Sequence, residues 1–169
     1  MSAAAPGNLL DRVNTITGKA VSWLTLAMVI VTFVVVVLRY VFDVGFIWVQ
    51  ESVIWMHAAV FMLGAAYTLR EDGHVRVDVF YRNMSRKRQA WVDLVGVLVF
   101  LLPFCLFLAW NSADFVTQSW RIGESSREPG GLPFPFIPVL KSVILLMPLT
   151  VALQGLSLLL RSLSTIRES

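Results

Sequence analysis

The chain has 169 residues, of which 57% are hydrophobic and only 15% are charged, and its formal net charge is +3. Too little polar side chain is present to enclose so much apolar surface in water, which excludes a soluble globular domain. The basic residues are therefore interpreted by their positions beside membrane spans, and not as a nucleic-acid surface. Cys105 is the single cysteine and lies in an apolar run, so no disulfide or cysteine-based metal site is predicted from this chain alone.

Four apolar stretches are long enough to cross a hydrocarbon core of about 30 Å. Because lipid offers the backbone no hydrogen-bond partners, they predict an all-α integral membrane protein with one membrane domain over residues 1–169. The transmembrane helices are expected over about residues 20–41, 48–69, 91–115 and 139–160. Pro103 and Pro148 predict kinks in the third and fourth helices. Leu9, Val13 and Ile16 recur at helical spacing, which indicates a short N-terminal interfacial helix, with a frayed terminus as the alternative.

The first apolar stretch is expected to stay as a helix, because it is longer than a signal-peptide core and no small-residue cleavage pattern follows it. Basic residues beside the spans predict the orientation. One side carries Arg12, Lys19, Arg70, Arg76, Arg82, Arg86, Lys87, Arg88, Arg161 and Arg167, and the other carries Arg39, Arg121, Arg127 and Lys141. By the positive-inside rule, both termini and the middle loop are expected to be cytoplasmic.

Two ionisable groups lie near the turn between the first two helices. Arg39 and Glu51 are equally far in sequence from Gly45, so the hairpin places them at similar depth. An ion pair between them would remove both charges from lipid, whereas in the alternative each side chain reaches the interface separately. The sequence leaves both interpretations open.

His57 lies deeper in the second helix, on a face similar to that of Phe61 and Gly64. A proton relay or a haem ligand is conceivable, but His74, the second histidine, is expected outside the bilayer. A neutral histidine bonded to a neighbouring helix is the favoured interpretation, and no cofactor is predicted.

The connections also carry patterns. In HVRVDVFY, residues 74–81, apolar and polar side chains alternate, which suits a segment at the interface ahead of RKR at anionic headgroups, with a solvated loop as the alternative. The segment SWRIGESSREPGGLPFPFIP, residues 119–138, contains four prolines that argue against a regular helix through it. Its charges and aromatic residues favour a docking surface, and a rigid connector is the alternative.

The chain lacks the phosphate-binding, dinucleotide-binding and zinc-protease motifs GxxxxGK[ST], GxGxxG and HExxH. It also shows no inverted repeat that would form a substrate path across the membrane. An accessory or scaffold subunit is therefore expected, and not an enzyme.

Several motifs then resemble one family in order and spacing. RYVF ends the first helix, Trp48 and Glu51 open the second, and LGAAY and GHVRVD follow; SREPGGLP and PLTVALQGL occur later. Over about residues 20–160 the chain resembles the DctQ-type small membrane subunit of tripartite ATP-independent periplasmic (TRAP) transporters, within them the mannitol or chloroaromatic-compound type. Gln50 stands where this family commonly has a second acid beside Glu51.

The resemblance implies a multi-pass protein of the bacterial inner membrane that partners a large DctM-type subunit and a periplasmic DctP-type binding protein. The large subunit would move an organic acid by an elevator-like motion driven by an ion gradient, generally of sodium, with the small subunit as a fixed scaffold among membrane lipids. Matching positions imply structural or subunit-contact roles for Arg39, Trp48, Glu51, Gly64, His74 and Asp78. The outer loops, including Arg121, Arg127 and Glu128, are candidate contacts with the binding protein.

Two other classes remain as alternatives. A membrane anchor of a respiratory complex would carry haem, and it is disfavoured by the lone intramembrane histidine. A small homodimeric proton-coupled exporter would need an acid deeper in the membrane than Glu51.

Overall fold

The computed structural model of the chain describes residues 9–71, 73 and 78–168. Its elements are α1 (Leu9–Val41), α2 (Ile47–Arg70), α3 (Asp78–Tyr81), α4 (Arg86–Gly96), a π-helical segment (Val97–Leu101), α5 (Leu102–Arg121) and α6 (Phe136–Glu168). Four stretches within these ranges are long and apolar enough to cross a membrane: Gly18–Val41, Ile47–Arg70, Arg86–Arg121 and Phe136–Glu168. The prediction of an all-α protein with four transmembrane helices is confirmed.

The first helix is continuous from Leu9 to Val41, so the short N-terminal helix expected from the sequence is not a separate element. No proline interrupts residues 9–41, and Gly18 does not break the helix because it serves as a packing contact. A β-carbon at Gly18 would overlap the ring of Tyr67 on α2, so the missing side chain lets the two backbones approach closely. At 1.5 Å per residue, α1 is about 50 Å long and exceeds the hydrocarbon thickness.

The four spans form a row in which α6 is central. The α1 helix packs on α2 and, less extensively, on α6; α2 packs on α6, and α6 also packs on α4 and α5. Within the described ranges, α1 and α5 have no substantial contact with each other. Buried positions are concentrated on α6, which contributes Val143, Pro148, Gln154, Gly155 and Ser157. Because the row does not close into a bundle, both broad faces stay exposed and apolar.

The third span is distorted just before Pro103. Here the amide of Leu102 donates to the carbonyl of Val97, one residue further back than in an α-helix. Proline has no N–H to donate, and its ring clashes with the preceding turn of the helix. These two properties explain the locally widened turn at this point. Pro148 lies inside α6 without ending it, and Pro138 is accommodated in the first turns of α6, where backbone N–H groups lack intrahelical partners anyway.

Candidate functional site

The segment between α5 and α6, residues 122–135, is folded against the first turns of α2 and is here named the α5–α6 loop. The loop is attached to α2 through Glu51, which lies one turn into that helix. Its carboxylate accepts a hydrogen bond from the hydroxyl of Ser126 and another, 2.6 Å long, from the backbone N–H of Leu132. A carboxylate bonded to two donors of one loop holds that loop on the helix more strongly than neutral groups would.

The α5–α6 loop closes on itself around this carboxylate. The amide of Ser126 donates to the carbonyl of Leu132 over 2.9 Å, and the amide of Gly131 donates to the carbonyl of Glu128 over 3.0 Å. The hydroxyl of Ser126 also accepts from the amide of Glu128 over 3.1 Å. At Gly131 a β-carbon would overlap the Ser126 side chain and lie 2.8 Å from the carboxylate of Glu51. Glycine is therefore required there by close approach.

A second anchor joins α5, the loop and α6. The carboxylate of Glu124 accepts from the ammonium of Lys141 over 2.5 Å and from the hydroxyl of Ser119 over 2.6 Å. These two hydrogen bonds, from Lys141 first and then Ser119, hold the pKa of the Glu124 carboxyl below its ordinary value, with a smaller contribution from the charge of Arg127. The ammonium of Lys141 also lies 4.1 Å from the ring centroid of Phe115, a cation–π contact.

Aromatic residues complete the attachment of the loop. The indole N–H of Trp120 donates to the hydroxyl of Ser142 over 2.9 Å, and its ring meets Phe134 edge to face with centroids 6.0 Å apart. Next to the loop, the indole N–H of Trp55 on α2 donates to the carbonyl of Phe136, the first residue of α6, over 3.3 Å. The loop is thus bonded to three of the four transmembrane helices. These bonds fit the rigid connector that the sequence left open as an alternative, and a docking role for the loop stays a prediction.

Arg39 and Glu51 are not paired. Within the described part of the chain, the Arg39 guanidinium is exposed and forms no ion pair, while both oxygens of Glu51 accept hydrogen bonds from the α5–α6 loop. The hypothesis of an ion pair closing the hairpin is therefore wrong for this structure. The hairpin turns instead through Asp43, whose φ of 52° lies in the left-handed region that aspartate tolerates better than most residues.

The other residues assigned by resemblance have different surroundings. Trp48 is 52% exposed and its ring lies 6.4 Å from that of Phe46. Gly64 lines a cavity of about 450 Å³ between α1 and α2. Asp78 is the first residue of α3, and His74 lies outside the described residues.

The three charged residues expected to contact a binding protein are all exposed. Arg127 and Glu128 belong to the α5–α6 loop, with Arg127 close enough to Glu124 to act on its carboxyl. Arg121 ends α5 and lines a groove with Asp114 and Gln118 on the same helix. The structure thus groups Arg127 with the anchored loop and leaves Arg121 on the neighbouring surface of α5.

The favoured interpretation of His57 is also wrong. Among the described residues it has no hydrogen bond to a neighbouring helix; it is exposed, and its ring packs on Phe61 one turn away with centroids 4.8 Å apart. No group of three or more His, Cys, Asp or Glu residues able to hold a metal ion occurs in the described ranges.

Sequence reasoning missed most of the partners that hold the loop. They are Ser119, Glu124, Ser126, Leu132 and Lys141. Two signals were available. The pair Gly130–Gly131 after a proline indicates close approach of the backbone, and Glu124 and Lys141 place opposite charges at the two ends of one short connection. Neither signal identifies Glu51 as the group that the glycines approach.

An all-α chain with four candidate spans, and with its loop anchored to the helices, is a multi-pass membrane protein. Residues 28–165 match the family model described as "Tripartite ATP-independent periplasmic transporters, DctQ component", and the chain belongs to this family. This is a family of transport components and not of enzymes. Family membership and the four apolar helices identify a multi-pass protein of the bacterial inner membrane.

One curated relative is the C4-dicarboxylate TRAP transporter small permease protein DctQ of Vibrio cholerae serotype O1. It is 29% identical over 112 residues, which are 64% of this chain and 48% of the relative. The chain thus matches about half the length of this relative. No solved structure matches the chain.

Proposed function

We propose that the chain is the small, non-catalytic membrane subunit of a TRAP secondary transporter and scaffolds a large DctM-type elevator subunit. The observation that carries this proposal is the open row of four helices. A row exposes two broad apolar faces, and α1 alone shows Trp23 at 71%, Phe33 at 67% and Tyr40 at 81% exposure. Such faces suit lipid on one side and a large helical partner on the other.

The same proposal gives contact roles to the exposed residues Arg39 and Trp48 and to the half-buried Gly64, together with His74 and Asp78 by family pattern. Glu51 has a structural role instead, because its carboxylate is used within the chain. The basic residues favour an orientation with both termini in the cytoplasm, which turns the α5–α6 loop toward the periplasm. There, Arg127 and Glu128 on the loop and Arg121 beside it would meet a DctP-type binding protein.

The substrate class that fits best is an organic acid, taken up with an ion gradient, generally of sodium. The support is the family and the C4-dicarboxylate named for the relative. By the family resemblance, substrate and coupling ion would bind the large subunit. Assignment to the mannitol or chloroaromatic-compound type rests on motif resemblance.

The first experiment is a pull-down of tagged protein from native membranes with lipid retained, followed by identification of what co-purifies. A multi-helix partner in about equal amount is expected. A homodimer without a partner would overturn the proposal and favour the small exporter, and a haem absorption band would favour the respiratory anchor.

Contact with the binding protein has its own test. The double substitution Arg121→Glu and Arg127→Glu should reduce uptake when the binding protein is scarce and have little effect when it saturates, because rim charges act mainly on association rates. Arg167→Glu, at the opposite end of the chain's last helix, is the matched control. Uptake that stays unchanged across the whole titration contradicts the assigned contact.

A further inference from the structure

A second feature lies at the opposite end of the helices from the α5–α6 loop. The short helix α3 covers the beginning of the third span and encloses a groove of about 410 Å³, within the range of roughly 300–1,000 Å³ common for ligand pockets. Its wall is mostly apolar and includes Phe80, Met84, Val92, Val97, Leu101 and Leu158. A groove of this lining at a helix end suits a hydrocarbon chain.

The local sequence explains why the groove is open. Gly96 forms part of its wall, and a β-carbon added there would meet no atom within 4 Å. The π-helical segment follows directly, and Val97 and Leu101 from that segment continue the wall. The groove therefore results from a missing side chain beside a widened turn.

The covering helix α3 is fixed in place by two hydrogen bonds. The hydroxyl of Tyr81 donates to the carboxylate of Asp93 over 2.8 Å, and the side-chain amide of Gln89 donates to the carbonyl of Tyr81 over 3.0 Å. Asp93 is an acidic side chain of the groove wall. The hydrogen bond from Tyr81 occupies part of the capacity of its carboxylate to accept further hydrogen bonds. The groove is thus part of a stable corner.

Basic residues lie in the turn and the helix start next to the groove wall. Arg82 lies in the turn beside Met84, and Arg86, Lys87 and Arg88 form the exposed first turn of α4. Arg86 precedes Asp93 by two helical turns and therefore lies on the same face of α4 as the groove wall. Clustered Lys and Arg beside a transmembrane helix attract anionic headgroups.

We propose that this groove is a binding site for one anionic phospholipid. An acyl chain lies in the groove against Gly96, and the phosphate contacts the basic turn at Arg86. The shape of the groove and the basic residues beside it favour the same ligand. A zwitterionic lipid also carries a phosphate, but its own cationic group is repelled by the basic turn, so it gains less there than an anionic lipid. The site consists only of residues of this chain and does not depend on which large subunit the chain joins.

The test uses the full chain purified in a mild detergent. Phosphatidylglycerol and phosphatidylcholine with the same acyl chains are titrated in parallel, and retained lipid is counted by native mass spectrometry. The unaltered protein should retain one phosphatidylglycerol at a concentration at least fivefold lower than it needs for phosphatidylcholine. Excess inorganic phosphate should not displace the lipid, since phosphate cannot occupy the groove.

Two variants separate the two parts of the site. Gly96→Leu fills open space and should lower retention of both lipids, whereas Gly45→Leu adds the same side chain at another open glycine and should not. The triple change of Arg86, Lys87 and Arg88 to Gln, all at exposed positions, should remove the preference for phosphatidylglycerol. Equal retention of the two lipids by the unaltered protein, or unchanged retention in Gly96→Leu, would overturn the proposal. Displacement by phosphate alone would also overturn it and indicate a simple anion site.

Discussion

The bond between Glu51 and the α5–α6 loop supports a quantitative prediction. Glu51→Ala removes the acceptor of two hydrogen bonds, one from the Ser126 hydroxyl and one from the Leu132 amide. A hydrogen bond to a charged group contributes about 1.5–3 kcal/mol, so the pair contributes roughly 3–6 kcal/mol to keeping the loop closed. Glu51 is half-buried, and water can replace part of what is lost, so we take the lower limit.

About 3 kcal/mol corresponds to an increase on the order of a hundredfold in the population of the open loop. Hydrogen–deuterium exchange measures this population directly, because the Leu132 amide exchanges only when its bond opens. With the full chain in lipid nanodiscs, peptides covering residues 126–132 should exchange on the order of a hundredfold faster in Glu51→Ala. Glu51→Gln keeps one acceptor oxygen and should show about half of this change in free energy, or roughly tenfold.

The control is Glu128→Gln, which removes a negative charge from the same loop at an exposed side chain. Its backbone bonds to Ser126 and Gly131 do not involve the carboxylate, so exchange should stay within about twofold of the unaltered protein. The reasoning is refuted if Glu51→Ala and Glu128→Gln exchange alike, since the loop would then be held by contacts other than this carboxylate.

The close approach of Gly18 to Tyr67 and the bond between Glu124 and Lys141 can each be tested. Gly18→Ala places a methyl group against the Tyr67 ring and should lower the free energy of unfolding by about 1–3 kcal/mol, measured as a lower thermal midpoint in detergent. Gly45→Ala, whose methyl group meets open space, is the control and should be near neutral. Equal midpoints of the two variants would show that α1 and α2 are not closely packed. The pKa of the Glu124 carboxyl is lowered, so its bond to Lys141 stabilises the fold at any pH above the carboxyl's ordinary pKa, near 4.5. This stabilisation is lost as the pH falls through the lower pKa of the folded state. Acidification below pH 4.5 should therefore reduce the protection of the α5–α6 loop, that is, the exchange rate of an unstructured peptide at the same pH divided by that of the loop, less in Glu124→Gln than in the unaltered chain. Identical pH profiles of protection would contradict this.

Much of the fold was predictable because a membrane imposes strong constraints on sequence. Hydropathy identified the four spans. The kinks predicted at Pro103 and Pro148 stay predictions; the structure shows a π-helical segment before Pro103 and an uninterrupted helix through Pro148. The extent of α1 was harder to predict. A polar helical extension has no hydropathy signal, and Gly18 looks like a break until Tyr67 is placed against it.

The site was predicted less well than the fold. A carboxylate at the start of an apolar helix needs a partner, and the sequence proposed Arg39 as the partner of Glu51, which was the wrong candidate. A loop that is distant in sequence supplied the donors instead, through Ser126 and Leu132. The predicted bond from His57 to a neighbouring helix was wrong for a similar reason, because the sequence cannot say which side of α2 faces another helix.

The sequence by itself determined the number of spans, the membrane environment and the family, since these depend on composition and on residues near each other along the chain. Only the tertiary structure decided that the helices form a row around α6, that Glu51 holds the α5–α6 loop, and that Gly96 opens a groove beneath α3. The physical reason is the length scale of the interactions. Hydrophobicity and helix propensity act within one segment, whereas hydrogen bonds and close packing join segments whose relative placement no local pattern encodes.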